Sequence, residues 1–255
     1  MDERIKGVLL PYLPAEKILA AYRAAPGQEL DSKFISQESS AALVANTFGL
    51  FLEAPALLPK IPGLEEISWP AQRVWIEKCL RFPWRGGHHP WLDAVIETED
   101  HIIGVESKRY EPIRGADPAE FSAAYDRPVW GTKMRQFETL RDRLKAKPAH
   151  FHQLDAAQLI KHAFAIRTQS ARQNKRGLLC YLYAEPAFWP DGRPVENVAV
   201  ADHVKEVQEF KTLTFGAEVR FVACRYKELL GAMDSSPHSE VKRHAAELGK
   251  KYPQL

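Results

Sequence analysis

The sequence predicts an α/β fold with a central mixed β-sheet flanked by helices. Helix-like and strand-like segments alternate along the second half of the chain, and the strand-like run at 177–183 is apolar almost throughout. Strands of this kind are usually buried on both faces. The chain has 255 residues, of which 45% are hydrophobic and 27% are charged, so it can bury a large core as one domain.

The first part of the chain is predicted to be helical. Residues 1–27 form a helical segment broken by prolines, and the next helix covers 36–48 with Ser39 or Ser40 near its start. Residues 54–70 contain four prolines and therefore predict a connecting loop.

The rest of the chain predicts a β-meander followed by alternating helices and strands. The meander has strands at 74–82, 92–98 and 101–108. The later elements are helices at 131–147 and 155–167, a strand at 177–183, a helix at 202–213, a strand at 218–224 and a polar helix at 237–251. We expect a single domain over 1–255, with its core at about 36–225.

Composition also predicts the compartment. The three cysteines, Cys79, Cys180 and Cys224, are far apart in apolar runs, which favours reduced core residues over disulfides or a zinc site. No apolar stretch approaches the ~18–20 residues of a membrane span, and the N-terminus lacks the apolar segment of a signal peptide. We therefore expect a cytoplasmic protein without membrane contact.

Charge is unevenly distributed along the chain. The net charge of +2 is nearly neutral, but residues 127–176 contain twelve lysines and arginines against three acids. Such a stretch is typical of a surface that binds a polyanion, and equally of a solvated helical face.

The predicted hairpin carries the candidate chemistry. If a two-residue turn joins strands 92–98 and 101–108, Asp93 lies directly opposite Glu106, and both side chains point to the same side. Lys108, two residues further on, shares that side. The opposite side collects the apolar residues Leu92, Ala94, Ile96, Ile103 and Val105. We expect the acids and the lysine on the solvent side, unless a three-residue turn shifts the register.

Two facing carboxylates repel each other unless a positive charge lies between them. Lys108 could be a simple salt-bridge partner. Alternatively, the two acids could bind Mg²⁺, which prefers oxygen ligands and keeps several waters. Of the three Glu-x-Lys sequences in the chain, at 106–108, 209–211 and 240–242, only the first lies on a predicted strand after a strand with an Asp.

The sequence resembles a known nuclease superfamily at this hairpin. Residues 90–97 (Pro-Trp-Leu-Asp-Ala-Val-Ile-Glu) followed by 102–108 (Ile-Ile-Gly-Val-Glu-Ser-Lys) resemble the PD-(D/E)xK, or restriction-endonuclease-like, superfamily. Residues 39–46 and 74–77 resemble, more faintly, the N-terminal helix and first core strand of bacterial members. The proline here precedes Asp93 by three residues instead of one, at a position that varies within the superfamily.

The resemblance implies a restriction-endonuclease-like core and a division of roles. Asp93 and Glu106 would bind Mg²⁺, for which Mn²⁺ can substitute, and the Ser107 carbonyl would be a third ligand. Lys108 would position the attacking water or stabilise charge on the phosphate.

Further candidates surround this motif. Glu38, at the start of a helix, either supplements the metal site or interacts with the helix dipole. Glu77 is predicted beside the Asp93 strand, where an unpaired carboxylate would be unfavourable. Gln158 resembles the helix Gln that approaches the active site in related nucleases, and His162 shares its helix face. The candidate phosphate contacts are Lys161, Arg172, Lys175 and Arg176.

The predicted function is therefore a metal-dependent nuclease that hydrolyses DNA phosphodiester bonds with a Mg²⁺-activated water. Dimerisation would suit double-strand cleavage, although no residue indicates it. The alternative is a catalytically inactive nucleic-acid-binding protein of the same fold, and the retention of Asp93, Glu106 and Lys108 argues against it. A third interpretation, in which the charges only stabilise the hairpin, involves no nucleic acid.

Overall fold

The computed structural model describes residues 3–25 and 33–255. A five-stranded sheet forms the centre, with its strands in the order of the sequence. The first three strands are antiparallel and the last three are parallel, so the sheet is mixed, as predicted. The strands are β1 (Arg73–Cys79), β2 (Trp91–Glu97), β3 (His101–Lys108), β4 (Arg176–Tyr183) and β5 (Arg220–Arg225).

Helices cover both faces of this sheet. They are α1 (Glu3–Val8), α2 (Ala15–Ala24), α3 (Ser40–Phe48), α4 (Glu111–Arg114), α5 (Arg135–Ala146), α6 (Ala156–Arg172), α7 (Asn197–Leu213), α8 (Tyr226–Asp234) and α9 (Ser239–Lys251). The first face contacts α1, α2, α3, α8 and α9, and the second contacts α5, α6 and α7. The predicted α/β class with flanking helices is confirmed.

Strand β4 shows why the sheet needs two helical layers. Its side chains alternate between the two cores: Leu178 and Cys180 pack on the first face, and Leu179 and Tyr181 pack on the second. Every residue of the strand after Arg176 is buried. The apolar run at 177–183 is therefore buried on both faces, as its composition predicts.

Several element boundaries differ from the predictions. The helix predicted at 36–48 begins at Ser40, because the Ser39 hydroxyl accepts a hydrogen bond from the Ala42 N–H at 3.0 Å and caps it there. The strand predicted at 74–82 ends at Cys79. Helix α8 was not predicted. The helical segment predicted at 1–27 contains α1 and α2, and its two ends lie outside the described residues.

The predicted register of the central hairpin is confirmed. Ala94 pairs with Val105 and Glu97 pairs with Ile102, the pattern of a two-residue turn. The Thr98 N–H donates to the His101 carbonyl at 3.0 Å and closes that turn. This register puts Asp93 opposite Glu106.

The predicted apolar side of the hairpin is wrong at Leu92, because β1 and β2 both exchange faces at this level. Ala94 packs in the first core, whereas Leu92 packs in the second, although the two share a parity. In the same way, Ile76 packs in the first core and Leu80 packs in the second. Glu77, between them, has a positive φ of 45° that interrupts regular strand geometry.

The side of the hairpin that carries Glu106 is also not open to solvent, contrary to the prediction. Helix α6 packs across β3 and β4 on that face. At Gly104, an added Cβ would lie 2.2 Å from a Leu92 methyl and 2.6 Å from an Ile166 methyl. This close approach buries the middle of the hairpin, and its end near Lys108 borders a cavity.

A carboxylate from α7 fixes the chain segment that leads into α6. The Glu206 side chain accepts hydrogen bonds at 2.8 Å from the backbone N–H groups of His152, Gln153 and Leu154. Glu206 is itself buried, so these donors have little access to water as alternative partners. The segment ends at Asp155, whose carboxylate caps α6 by accepting from the Gln158 N–H at 2.8 Å.

We predict that Glu206→Gln lowers the free energy of unfolding by about 1–3 kcal/mol, because an amide nitrogen would face a buried N–H donor. Urea denaturation measures this change. The exposed Glu240→Gln serves as a control, for which we expect a change within about 0.5 kcal/mol. Equal stability of Glu206→Gln and wild type would contradict this role of the carboxylate.

Candidate active site

Asp93, Glu106 and Lys108 meet at one end of the β2–β3 hairpin. The Asp93 carboxylate accepts a hydrogen bond of 2.6 Å from the Ser107 N–H, across the two strands. Lys108 Nζ lies 2.5 Å from Glu106 Oε1. The Ser107 hydroxyl faces the other layer of helices and lies 2.6 Å from the Tyr226 hydroxyl. Backbone and side-chain contacts therefore fix the motif from both faces of the sheet.

Helix α6 contributes two more side chains from one of its faces. Lys108 Nζ donates to Gln158 Oε1 at 2.9 Å. His162, one turn later, has Nδ1 3.1 Å from Glu106 Oε2, although the angles do not make a hydrogen bond. Both His162 and Glu106 are buried. The approach of Gln158 agrees with the resemblance, and His162 is closer to the acids than its sequence indicated.

The two facing acids have opposite electrostatic environments. Burial raises the pKa of Asp93, and the charges of Glu106 and Glu77 raise it further. Burial also opposes ionisation of Glu106, but Lys108 and His162 outweigh it and lower the pKa of Glu106. Burial would lower the pKa of Lys108, but Glu106 and Asp93 raise it above its ordinary value. Glu106 and Lys108 thus form an ion pair, and Asp93 is the destabilised carboxylate.

Glu77 and Glu38 lie at the border of the same site. Ile76 pairs with Ala94 and Lys78 pairs with Leu92, which brings Glu77 to the level of Asp93. Glu38 lines the cavity as well, but its carboxylate forms an ion pair with Arg114.

These residues line a cavity of about 610 Å³. Among the described residues that line it are five acids and three cations, a formal excess of two negative charges. The ionisable lining residues are Lys33, Glu38, Glu77, Asp93, Glu106, Lys108, Glu111 and Arg114. A phosphate would be repelled by this excess unless a cation entered with it.

The carboxylates of this cavity are the type of ligand that a hard divalent cation prefers. Within the described chain, no group of three or more His, Cys, Asp or Glu side chains is placed to hold a metal ion. Asp93 and Glu106 provide two carboxylates, and Mg²⁺ commonly binds one or two protein carboxylates with waters in the remaining positions. The pKa of Asp93 is raised first by burial and then by repulsion from Glu106, and a cation between the two carboxylates would relieve that repulsion. The residues therefore fit a magnesium ion that keeps part of its water shell.

The four candidate phosphate contacts do not line this cavity. Arg172 donates to the carbonyls of Arg81 and Phe82, both at 2.8 Å. Lys175 is 2.7 Å from Glu97 and also donates to the Thr98 carbonyl, next to the hairpin turn. Arg176 opens β4 opposite His101, seven residues along the parallel pair from Lys108.

That separation corresponds to roughly 23 Å along the strands. Lys161 lies over the Phe121 ring, with Nζ 5.5 Å from the centroid. The structure therefore does not bring the predicted cations to the acids, and their contact with phosphate stays a prediction.

Two residues near the site were missed or undervalued by the sequence analysis. The proximity of His162 to the site could have been inferred from the sequence, because His162 follows Gln158 by four residues on one helix face. No sequence pattern indicated Arg114, because its contact with Glu38 depends on how two distant segments of the chain pack together.

The sheet order, the two helical layers and the Asp/Glu-x-Lys hairpin define a restriction-endonuclease-like protein. The chain belongs to the family described as Restriction Endonuclease associating with ARP, whose pattern matches residues 13–253. Comparison with curated proteins and with solved structures yields no match. Membership of this family indicates a nuclease-like function and an interaction with DNA.

In the segments 3–25 and 33–255, no helix combines the length and the apolar character that a membrane span requires.

We predict that Asp93→Asn raises the free energy of unfolding by about 0.5–2 kcal/mol in EDTA at neutral pH, a range typical of stabilising substitutions. The raised pKa of Asp93 means that the folded state disfavours its charge. Asparagine removes that charge and can still accept from the Ser107 N–H. The gain should disappear below about pH 4, where the unfolded chain also protonates this group.

Urea denaturation at the two pH values measures this effect, with the exposed Asp202→Asn as a control. A loss of stability in Asp93→Asn at neutral pH would mean that the folded protein favours an ionised Asp93.

Proposed function

We propose that the protein hydrolyses phosphodiester bonds of DNA at the cavity formed by Asp93, Glu106 and Lys108. The observation that carries the proposal is the convergence of two facing carboxylates and a lysine in one cavity of a restriction-endonuclease-like fold. Asp93, Glu106 and the Ser107 carbonyl would hold a Mg²⁺ ion, for which Mn²⁺ can substitute. When bound, that ion would lower the pKa of a coordinated water and stabilise charge on the phosphate.

Lys108 is best suited to act as a fixed cation. Its pKa is raised above the ordinary value because the attraction of Glu106 and Asp93 exceeds the effect of burial. A protonated amine cannot accept a proton from water, but it can donate to a phosphate oxygen on which negative charge develops. Gln158 holds the amine in place through its side-chain oxygen.

Glu106 is held on two sides before any substrate arrives. Lys108 contacts one of its oxygens and His162 lies against the other. Asp93 is held from β3 by the Ser107 N–H. A preorganised pair of carboxylates requires little rearrangement when a cation and a phosphate bind, which favours catalysis over simple binding.

We predict that Lys108→Ala and Asp93→Ala each lower the rate of Mg²⁺-dependent DNA cleavage by at least about 100-fold, as expected when one group that stabilises the transition state is lost. Cleavage of labelled single-stranded, duplex and branched DNA measures this effect. Lys211→Ala is a matched control, because Lys211 ends another Glu-x-Lys sequence on the exposed surface of α7.

If no DNA is cleaved in Mg²⁺ or Mn²⁺, the hydrolytic proposal fails. Salt-sensitive DNA binding without any divalent requirement would then identify the inactive binding protein. Failure to bind any nucleic acid at low salt would favour a purely structural role for these charges.

His162 is a positioning residue in this proposal, since it contacts Glu106 and not the substrate. We predict that His162→Ala weakens Mn²⁺ binding by about tenfold or more, the usual effect of removing a group that orients a metal ligand. Isothermal titration calorimetry measures the affinity. His162→Gln should restore part of it, and His152→Ala, which alters an exposed histidine, should leave it unchanged. Wild-type affinity in a folded His162→Ala protein would contradict this role.

A further inference from the structure

A second cavity, of about 540 Å³, borders the candidate active site. We call it the aromatic groove and define it by six of its lining residues, Arg109, Tyr110, Phe188, Trp189, Lys251 and Tyr252. The two cavities share Ser36 in their linings. Lys108 lines the candidate active site, and the next residue along the chain, Arg109, lines the groove. The two cavities are therefore neighbours on the surface of the protein.

The groove contains a buried cation. Arg109 is 5% exposed, and its guanidinium lies between the rings of Tyr110 and Tyr252, 5.0 and 4.9 Å from their centroids. One terminal nitrogen donates to the Gln37 carbonyl, whereas Nε has no hydrogen-bond partner. In the part of the chain that the structure describes, no carboxylate forms an ion pair with this guanidinium. Glu111 accepts from the Arg109 backbone N–H at 2.8 Å and attracts the guanidinium without pairing with it, so the charge is only partly compensated. A buried cation of this kind favours an anionic ligand.

The walls of the groove favour a flat aromatic ligand. Phe188 lines the groove and is 46% exposed, so part of its ring is accessible to a ligand. Trp189 stacks on Tyr110, with ring centroids 5.2 Å apart and planes 16° apart. Its ring also lies 5.2 Å from the Arg114 guanidinium, which connects the groove to Glu38 in the other cavity.

The loop that presents Phe188 is held in position by its own hydrogen bonds. The Trp189 N–H donates to the Arg193 carbonyl at 2.8 Å, and Phe188 pairs with Pro194 in a short antiparallel bridge. The Tyr110 hydroxyl donates to the Phe188 carbonyl at 3.1 Å. These bonds involve the backbone of Phe188, so its side chain can be changed without removing them.

We propose that the aromatic groove binds an unpaired nucleobase and its adjoining phosphate, on the strand whose neighbouring phosphate occupies the candidate active site. This inference rests on the proposed function and specifies its substrate as nucleic acid with unpaired nucleotides. The base would contact Phe188, and the phosphate would pair with Arg109 and Lys251. Bases within a duplex are stacked on each other, so only an unpaired nucleotide offers both chemical groups to one groove.

The test compares the affinity of the full chain for two fluorescein-labelled DNAs in EDTA, measured by fluorescence anisotropy. One is a blunt duplex and the other is the same duplex with a short unpaired thymidine tail. Wild type should bind the tailed duplex at least about fivefold more tightly, the lower end of what one base–aromatic stack contributes. Phe188→Ala should lose this preference and bind both DNAs like the blunt duplex.

Two further variants distinguish the loss of base stacking from the general effect of replacing a phenylalanine. Phe188→Trp should retain the preference, because it preserves an aromatic face. Phe215→Ala, which removes a phenylalanine that is 84% exposed elsewhere, should also retain it. Thermal unfolding of each variant checks that the fold is intact.

The inference is overturned if wild type binds both DNAs equally or not at all, or if Phe188→Ala keeps the preference. Phe188-dependent binding of free thymidine monophosphate, without a preference for the tailed duplex, would also overturn it and identify a nucleotide pocket instead. Cleavage that depends on Asp93 but shows no preference for the tailed duplex refutes only the proposal that the aromatic groove binds an unpaired nucleotide. A tail preference without any cleavage refutes only the hydrolytic proposal.

Discussion

The antiparallel register between β2 and β3 is the constraint on which the candidate site depends. A shift of one residue would move Glu106 to the opposite face and separate it from Asp93. The structure holds this register at both ends of the hairpin. The Thr98–His101 bond closes the turn, and the Ser107 N–H binds the Asp93 carboxylate at the other end. The second bond uses a candidate functional side chain, so the geometry of the strands and that of the site reinforce each other.

Helix α6 converts the hairpin into an enclosed site. It covers the face of Glu106, supplies His162 and Gln158, and buries Glu106, while Lys108 keeps 18% of its side chain exposed at the cavity. The pair is strongly coupled, because the buried carboxylate lacks water as an alternative partner. The position of α6 depends in turn on Glu206, which binds the backbone just before the helix. A carboxylate on α7 thus influences the candidate site without touching it.

Local sequence patterns predicted the hairpin well, because strand alternation and a two-residue turn determine a register over a few residues. Asp93, Glu106 and Lys108 were accordingly placed together, and the resemblance to the nuclease superfamily added Gln158. The face exchange at Glu77 could not be predicted, since a positive φ in a non-glycine residue leaves no mark on the hydrophobic pattern. The burial of Glu106 was also missed, because it depends on a helix about fifty residues away in the sequence. Long-range packing decides such features, and periodicity describes only one element at a time.

The distribution of cations indicates which path a bound nucleic-acid strand would follow on the protein. Lys175 is paired with Glu97 near the hairpin turn, so part of its charge is already compensated at the end of the sheet away from Lys108. In the described segments the Arg109 guanidinium forms no ion pair, and Glu111, which accepts from the Arg109 backbone N–H, compensates its charge only in part. An incoming phosphate gains more from an incompletely compensated charge in a partly dry groove than from a paired one at the surface. The electrostatics therefore favour a path from the acid cavity towards the aromatic groove over a path past Lys175 at the hairpin turn.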